Sequence, residues 1–352
     1  MPFIEEIAIA NPKYCHKQED ILKFMQSVAP ENEHRKLKMI YKKSGIQTRY
    51  SVIPDYGLEE RTFYPLSQTL EPFPSVETRM KLFEKEALDL CVNAIEKLTD
   101  FSNITHLITV TCTGLSAPGL DIALIKKLKL PTDIIRTSVN FMGCYAGFHA
   151  LRLADTFCKT QENARILIVD VELCTIHFQK TSTEDNFIAN ALFADGAAAV
   201  IVSNNPKQAY FELRGFHTEL ALEGEQSMAW EVASTGFLMT LNSYVPDFLA
   251  SNIENLVDKS LKKNDLYMSQ VHHWAVHPGG NRILESIEKK LTLKKIQLES
   301  AYKVLSQYGN MSSATIFFVL KELKNIVKKN ENIFSCGFGP GLTMESLVLK
   351  GI

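Results

Sequence analysis

Strand-like and helical patterns alternate along the whole chain, and this alternation restricts the folds that the chain can adopt. Short apolar runs at residues 104–111 and 133–139 are each followed, after a turn, by a stretch of helical periodicity, at 119–128 and 145–156. Strands and helices that alternate in this way form largely parallel sheets covered by helices. The sequence therefore predicts a layered α/β protein.

The predicted elements fall into two groups along the chain, and strands and helices alternate in a similar way in each. The turn-rich segment 202–207, which contains Asn204, Asn205 and Pro206, is the best boundary between them. We therefore expect an N-terminal half of residues 1–205 and a C-terminal half of residues 206–352. The predicted helices are 17–27, 33–44, 78–98, 119–128, 145–156, 246–261, 280–291 and 309–323, and the predicted strands are 104–111, 133–139, 165–171, 197–202, 270–276, 333–337 and 345–350.

Charge and composition exclude several functional classes. The formal net charge of -2 gives no electrostatic reason to expect a nucleic-acid partner. The first residues show no secretory signal, and no apolar run reaches the length of a transmembrane helix. The seven cysteines are scattered without C-x-x-C pairs, which favours reduced thiols in the cytoplasm over a disulfide framework or a zinc site.

Cys144 lies where the predicted strand 133–139 gives way to the predicted helix 145–156. Unpaired N–H groups and the macrodipole at a helix N-terminus favour a thiolate, and a thiolate is a nucleophile. The simpler interpretation is a small apolar residue packed beside Ala146 and Gly147, and it is the better one for a cysteine taken alone. Two later segments change that balance.

His277 ends an apolar strand and precedes a Pro-Gly-Gly turn, a position where catalytic groups occur in α/β folds. A metal site would need His273 and His277 on one helical face, which Pro278 and the strand pattern oppose. Asn310 precedes a predicted helix, so it fits either a helix cap or a catalytic amide. Each residue alone has a structural explanation, and only the combination with Cys144 is informative.

Five motifs join these three residues, and in this order they are highly specific. The chain resembles the type III polyketide synthases, the chalcone synthase-like branch of the thiolase superfamily, from about Ile7 to Leu349. The resemblance implies a thiolase-like layered αβαβα fold of two pseudo-duplicated halves, and the last motif separates this family from ketoacyl-carrier-protein relatives. The motifs are residues 142–147 (MGCYAG), 191–199 (ALFADGAAA), 277–280 (HPGG), 308–314 (YGNMSSA) and 337–343 (GFGPGLT).

The resemblance implies an acyltransferase reaction for the three residues. Cys144 would take an acyl group from a coenzyme A thioester, and His277 would pair with the thiolate and lower the thiol pKa below about 8.5. His277 and Asn310 would donate hydrogen bonds to the malonyl thioester carbonyl, where charge develops as carbon dioxide leaves. The resulting enolate would attack the acyl-cysteine. No metal or redox cofactor is needed, and a homodimer is expected.

The resemblance also assigns the entrance to the site. Phe193 matches the gatekeeper phenylalanine between the coenzyme A tunnel and the chamber, and the softer Met239 stands at the second gatekeeper position. The coenzyme A phosphates need cations at the tunnel mouth. Lys36 and Lys43 match two of these positions, and Met39 stands at the third, which is usually arginine. Without the family, a solvated basic helix face explains both lysines equally well.

The residues of the chamber indicate the starter and the product. His177 and Trp230 are bulky where chalcone synthase has small residues, which argues against a large phenylpropanoid product. Thr113, Ala117 and Cys174 match residues that open a side tunnel in bacterial alkylpyrone synthases, and Ala117 also lies near the expected dimer interface. Such a tunnel would hold an acyl tail at about 0.8 kcal/mol per buried methylene. We expect a medium- or long-chain acyl-CoA starter, malonyl-CoA as extender, and an alkylpyrone or alkylresorcinol product.

The type of ring closure stays open. Ser312, Glu172 and Cys112 match a hydrogen-bond network linked to aldol-type cyclisation. Cys112 stands where threonine is usual, and a thiol is a weak donor. This weakens the case for a resorcinol over a pyrone.

Three other functions share part of this pattern. An initiating ketoacyl-carrier-protein synthase uses the same triad but docks a carrier protein. A non-catalytic thiolase-like scaffold would bind acyl-CoA or a partner protein, and it would tolerate loss of Cys144, His277 or Asn310, all of which are present. A cysteine hydrolase shares Cys, His and Asn, but its local sequence signatures are absent.

Overall fold

The computed structural model describes residues 1–57, 61–65, 67, 69–207, 209–242 and 244–352. The strands are β1 (Phe3–Ala10), β2 (Tyr14–Lys17), β3 (Thr48–Ser51), β4 (His106–Thr111), β5 (Ile135–Asn140), β6 (Arg165–Leu173), β7 (Asp195–Ser203), β8 (Phe211–Leu220), β9 (Met228–Ala233), β10 (Gly236–Leu241), β11 (Val271–Val276), β12 (Asn332–Gly339) and β13 (Thr343–Gly351). The helices are α1 (Gln18–Val28), α2 (His34–Lys43), α3 (Val76–Ile95), α4 (Leu120–Leu128), α5 (Ala146–Thr160), α6 (Glu184–Leu192), α7 (Val245–Lys262), α8 (Asn281–Lys290), α9 (Glu299–Tyr308) and α10 (Thr315–Leu323). Within the described ranges, every helix is too short or too polar to cross a membrane.

One strand pattern occurs twice in the main sheet, whose order is β11-β12-β13-β8-β1-β7-β6-β4-β5. In the first half, β4 and β6 are parallel, whereas β7 is antiparallel to both β6 and β1. In the second half, β11 and β12 are parallel, whereas β13 is antiparallel to both β12 and β8. The strands β4, β6, β7 and β1 therefore correspond to β11, β12, β13 and β8, and this repeat confirms the two related halves. The division of the chain at residue 205 stays a prediction.

Three hydrophobic clusters show how the elements are layered. Helices α5 and α10 pack between the two halves of the sheet, α3 covers the outer face of the first half, and α7 and α8 cover that of the second. Strand β7 has the alternation of a strand buried on both faces, with Ala198 and Val200 in the central cluster and Ala199 and Ile201 in the outer one. The order helix, sheet, helix, sheet, helix confirms the αβαβα fold.

Glycines allow the segment after β12 to approach the turn before α5. A Cβ atom on Gly143 would lie 2.2 Å from Pro340 Cδ, and its φ of +93° is one that side-chain-bearing residues rarely adopt. A Cβ atom on Gly339 would lie 2.5 Å from the Tyr145 ring. The close approach of these two segments fixes the position of Cys144, which lies between Gly143 and Tyr145.

Two predicted elements are wrong in detail. The predicted helix at 309–323 begins only at Thr315, because Gly309 adopts a φ of +72° after α9 and the next residues form a β-bridge and a 3-10 turn. The predicted buried strand at 133–139 corresponds to β5, which is mostly exposed because it is the edge strand of the sheet in one chain. The sequence pattern missed β1 to β3, β8 to β10, α6 and α9.

Candidate active site

Cys144 lies in the turn between β5 and α5, as predicted, and its side chain is buried. It lines a small cavity whose walls come from both halves of the chain. Many of the predicted site residues meet here even though they are far apart in the sequence. The cavity brings together Cys112, Thr113, Cys144, Cys174, Phe193, Trp230, Met239 and Ser312.

Asn310 is held by its backbone against the C-terminal end of α6. Its N–H donates to Leu192 O at 2.9 Å, and its carbonyl accepts from Ala194 N at 2.9 Å. In the side chain, Oδ1 accepts from Ser312 N at 2.9 Å and Nδ2 donates to Gly279 O at 3.2 Å. An amide nitrogen has two hydrogens, so one remains for a ligand. Asn310 is therefore a fixed donor and not a helix cap.

His277 follows β11 directly, and its backbone N–H donates to Cys336 O at 2.8 Å. Its ring is buried, and neither ring nitrogen has a hydrogen-bond partner among the described atoms. Gly279 links it to Asn310, because the Gly279 N–H donates to His277 O at 3.0 Å while its carbonyl accepts from Asn310. A buried imidazole without partners is costly unless a ligand provides them.

Glu172 is fully buried behind the cavity and joins the predicted cyclisation network. Its Oε2 accepts from Cys112 N at 2.9 Å and from Thr113 Oγ1 at 2.8 Å. The Cys112 sulfur instead accepts from Gly143 N at 2.9 Å. Thr113 therefore supplies the hydroxyl donor, a role that the sequence interpretation gave to the Cys112 position. Ser312 also has a side-chain hydrogen bond with Glu172.

The two bulky chamber residues fasten the β9–β10 hairpin to the turn after β4. Trp230 Nε1 donates to Cys112 O at 2.8 Å, and His177 Nε2 donates to Thr113 O at 2.7 Å. His177 Nδ1 accepts from Phe237 N at 3.1 Å, and the two rings stack with centroids 4.2 Å apart. Burial lowers the pKa of His177 to about 3, so the ring is neutral. These contacts hold the hairpin against Cys112 and Thr113, which line the cavity.

A second cavity adjoins the first, because Cys174, Phe193, Trp230 and Met239 line both spaces. Ala117, in contrast, is exposed and lines none of the cavities described here. The expectation that Ala117 opens a side tunnel near the dimer interface stays a prediction.

A third cavity opens to solvent beside the catalytic residues, because Gly279 lines it and also accepts the Asn310 hydrogen bond. Lys43 lines this cavity, as expected of a residue at the tunnel mouth. Lys36 does not line it, and its Nζ lies 2.7 Å from Glu184 Oε2 in an exposed ion pair. Of the two predicted lysines, only Lys43 faces the opening.

Comparison with known proteins identifies the family. The sequence model of the protein family "Chalcone and stilbene synthases, N-terminal domain" matches residues 3–206 of this chain. The corresponding sequence model of the C-terminal domain matches residues 213–352. The chain belongs to the chalcone and stilbene synthase family. It is a type III polyketide synthase, an enzyme of the acyltransferase class.

Relatives of this polyketide synthase occur in a slime mould and a brown alga. "Probable polyketide synthase 1" of Dictyostelium discoideum is 32% identical over 329 residues, which cover 91% of this chain but only 10% of the relative. The crystal structure of PKS-I from Ectocarpus siliculosus has a TM-score of 0.92 and 30% identity and covers 100% of this chain and 98% of its own. The C-terminal type III domain of Steely1, a type I/III hybrid from Dictyostelium, has a TM-score of 0.92 and 30% identity, with coverage of 100% and 99%.

Arg282 of this polyketide synthase was missed by sequence reasoning. It lies in the first turn of α8, two residues after the HPGG motif, and lines the same solvent-open cavity as Lys43 of α2. Its side chain is exposed, and Met39 of α2 lines the same opening. The signal was present in the sequence, because the residue follows a recognised motif at a helix start. Its position at the same opening as Lys43 required the fold.

Burial controls the protonation of the Cys144 and His277 side chains. It raises the pKa of the Cys144 thiol to about 12, against the opposing effect of hydrogen bonds with Ser312 and Asn310. It also lowers the pKa of His277 to about 3. A neutral thiol and a neutral imidazole are therefore the resting forms at pH 7. Burial thus opposes the thiolate–imidazolium pair that the family resemblance implies, and that pair stays a prediction.

The raised thiol pKa predicts how Cys144 reacts with iodoacetamide. Only the thiolate reacts, so we expect the alkylation rate to rise about tenfold per pH unit between pH 6 and pH 9. Mass spectrometry of the peptide that carries Cys144 measures the rate, and the exposed Cys15 provides an accessible thiol in the same sample. A rate that is already maximal at pH 6 would instead show an ion pair in the resting enzyme.

Proposed function

We propose that this polyketide synthase condenses malonyl-CoA onto an acyl-CoA starter held on Cys144. The observation that carries the proposal is the link between three buried groups, Cys144, His277 and Asn310. The Asn310 side chain interacts with the Cys144 thiol, and Gly279 joins Asn310 to His277, whose ring has no partner among the described atoms. The family resemblance implies a nucleophilic thiol and two hydrogen-bond donors, and these three side chains can supply them.

Neutral His277 supports the first half of this reaction. Its free ring nitrogen accepts the Cys144 proton as the sulfur attacks the starter thioester, and the proton then leaves with the coenzyme A thiolate. Acyl transfer is thus balanced without any net uptake of protons. The low pKa of His277 keeps the imidazolium transient, so the ring is neutral again when malonyl-CoA binds.

The same imidazole and Asn310 support the second half. A neutral ring still carries one N–H group, and Asn310 Nδ2 has one unused hydrogen, so the thioester oxygen of malonyl-CoA can accept two hydrogen bonds. The charge on this oxygen grows as the carbon–carbon bond to carbon dioxide breaks, and fixed donors in a dry site stabilise it. The enolate carbon then attacks the acyl carbonyl and the Cys144 thiolate leaves.

The two connected cavities favour a fatty acyl starter. Cys174 and Trp230 line both cavities, and His177 lines the second one. A flexible acyl tail can occupy two adjoining spaces more easily than a rigid phenylpropanoid chain can. We therefore propose a medium- or long-chain acyl-CoA starter and an alkylpyrone or alkylresorcinol product.

Mass spectrometry of products from a panel of starters tests this function. The panel contains octanoyl-, lauroyl-, palmitoyl- and coumaroyl-CoA, each with malonyl-CoA or with malonyl-carrier protein. We expect extended and cyclised products from the fatty starters with malonyl-CoA. Extension of coumaroyl-CoA alone would overturn the fatty starter, and a requirement for carrier protein would indicate a ketoacyl synthase. In a Cys174→Phe variant, palmitoyl-CoA should be lost as a starter while octanoyl-CoA is retained.

Arg282 and Lys43, which line the same opening, are proposed to bind the phosphates of coenzyme A at the tunnel mouth. Arg282 replaces the arginine that the family usually places at the position of Met39. We expect Arg282→Gln to raise the KM for malonyl-CoA about tenfold, in line with a charged hydrogen bond. The KM for an N-acetylcysteamine thioester, which has no phosphate, should not change. Steady-state kinetics measure both values.

The matched control for this prediction is Lys289→Gln, which removes another exposed cation of α8 that does not line the opening. Addition of salt should raise the KM for malonyl-CoA in the wild type more than in Arg282→Gln, because exposed charges are screened. Equal increases in KM for both kinds of thioester would place Arg282 outside phosphate binding.

We also propose that two copies of the chain associate through β5 and its surroundings. Among the described residues, Leu115, Ile122 and Ile135 are exposed apolar side chains, at 44%, 43% and 48%, on or near this edge strand. An unpaired strand edge with apolar neighbours is a typical site of association. Light scattering tests the proposal, and an Ile135→Lys variant should shift the mass from a dimer to a monomer. A monomeric wild type would refute it.

A further inference from the structure

A second buried carboxyl lies behind Glu172, and the reaction described above gives it no role. Asp170 precedes Glu172 by two residues on β6, and both side chains are fully buried. Ser313 Oγ lies 2.8 Å from Asp170 Oδ1 and 2.6 Å from Glu172 Oε1. The second oxygen of Asp170, Oδ2, has no hydrogen-bond partner among the described atoms.

The contacts of Ser313 require a proton on one of the two carboxyl groups. A hydroxyl group has a single hydrogen, so it can donate to only one of them. The other short contact is attractive only when that carboxyl is protonated and donates to the hydroxyl oxygen. Two carboxylates in this dry position would leave one of them without a donor and would repel each other. Asp170 and Glu172 therefore share one proton.

Asp170 is the better holder of this proton. Glu172 accepts hydrogen bonds from Cys112 N and Thr113 Oγ1, and such bonds stabilise a carboxylate. Among the described residues, Ser313 alone contacts the Asp170 carboxyl as a hydrogen-bond partner. Burial raises the pKa of Asp170 well above its usual range, and the charge of Glu172 raises it further.

The titratable groups around this pair are thiols. Cys112 faces it from the turn after β4, Cys144 from the turn before α5, Cys91 from α3 and Cys174 from the turn after β6, and burial raises the pKa of all four. Within the described part of the chain, no lysine or arginine forms an ion pair with Asp170 or Glu172. Nothing described there would compensate a second negative charge.

Ser312 connects this pair to the catalytic sulfur. It lines the cavity beside Cys144, and its hydroxyl lowers the pKa of both the Cys144 thiol and the Glu172 carboxyl. Ser313 bridges Asp170 and Glu172, and Ser312 interacts with both Glu172 and Cys144, so the two hydroxyls connect Asp170 to the catalytic sulfur. Each group on the path can both accept and donate a proton.

We propose that Asp170 stores a proton and returns it to the Cys144 thiolate after each condensation. The inference rests on the proposed function. Condensation breaks the carbon–sulfur bond of the acyl-cysteine and leaves a thiolate, while carbon dioxide departs without a proton, so every cycle consumes one. Asp170 passes its proton to Ser313, whose own hydrogen moves to Glu172. Glu172 passes a proton to Ser312, and the Ser312 hydrogen moves to sulfur.

Return of the proton prevents the condensation from reversing. A free thiolate can attack the new ketone carbonyl and reverse the carbon–carbon bond formation, whereas a thiol is a poor nucleophile. The two carboxylates that remain repel each other, and a proton from solvent restores the pair when product leaves. The relay is therefore needed in condensation and not in the preceding acyl transfer.

An Asp170→Asn variant tests the relay by comparing two half-reactions in single-turnover experiments. The ratio of the condensation rate to the Cys144 acylation rate should fall roughly tenfold or more, as expected when a proton donor is lost. The alkaline limb of the condensation rate should move to lower pH. Ser313→Ala should give the same pattern, and Ser335→Ala, which removes a buried hydroxyl of β12, should match the wild type.

Several outcomes would overturn the relay. One is an unchanged ratio and pH profile in both relay variants, and another is an equal slowing of acylation and condensation, which indicates a structural role. Infrared spectra of the unreacted protein give a second measurement, because the carbonyl band of a protonated carboxylic acid should be present at pH 8 in the wild type and absent in Asp170→Asn. Absence of the band in the wild type would refute the stored proton. This spectrum does not depend on the proposed function, which would itself be refuted if no acyl-CoA acylated Cys144.

Discussion

A Cys144→Ala variant is expected to lose chain extension while it continues to decarboxylate malonyl-CoA. Extension requires the covalent acyl group, so its rate should fall by about 10³-fold or more. Decarboxylation requires only donors to the thioester oxygen, and the hydrogen bonds of Asn310 with Leu192, Ala194, Gly279 and Ser312 remain when the sulfur is removed. Release of labelled carbon dioxide and mass spectrometry of products measure the two activities separately.

Cys158→Ala is the matched control for this substitution. Cys158 is also a buried thiol, but it lies near the end of α5 in the central hydrophobic cluster. Its removal should leave both activities close to those of the wild type. Chain extension by Cys144→Ala at a rate near that of the wild type would show that the starter is not held on this sulfur, and the proposed function would fail.

Local sequence patterns predicted the helices and strands whose apolar residues keep a regular helical or strand spacing from end to end. Strand β1 was missed because Glu5 and Glu6 interrupt its apolar run. Its stability comes from distant partners, since it pairs with β7 along most of its length and Glu5 accepts a hydrogen bond from Arg165. Contacts of this kind join residues about half a chain apart, and no local window contains them.

The candidate site shows the same distinction between local and distant information. Cys144, His277 and Asn310 could be predicted because each lies in a short motif with glycines at fixed distances from it in the sequence. The ion pair of Lys36 with Glu184 could not be predicted, because the partners are 148 residues apart and meet only when α2 packs beside α6. The hydroxyl role of Thr113 toward Glu172 likewise depends on the pairing of β4 with β6.

An Asn310→Asp variant is expected to show the opposite behaviour to Cys144→Ala. The substitution keeps an oxygen that accepts the Ser312 N–H, so the turn should keep its shape. It removes the Nδ2 donor and places a carboxylate oxygen against Gly279 O and beside the developing enolate charge. We expect decarboxylation to slow by about 10²- to 10³-fold, the usual cost of a lost donor of this kind.

Acylation of Cys144 should be much less affected, because the proton acceptor in that step is His277. Mass spectrometry of the acyl-enzyme and release of labelled carbon dioxide measure the two steps. Asn252→Asp is the matched control, since Asn252 Nδ2 also donates to a backbone carbonyl, Phe248 O, at 2.9 Å on α7. If Asn310→Asp decarboxylated malonyl-CoA as fast as this control, the enolate oxygen would have to lie elsewhere. The unpartnered His277 ring would then be left without the second donor that the proposed chemistry requires.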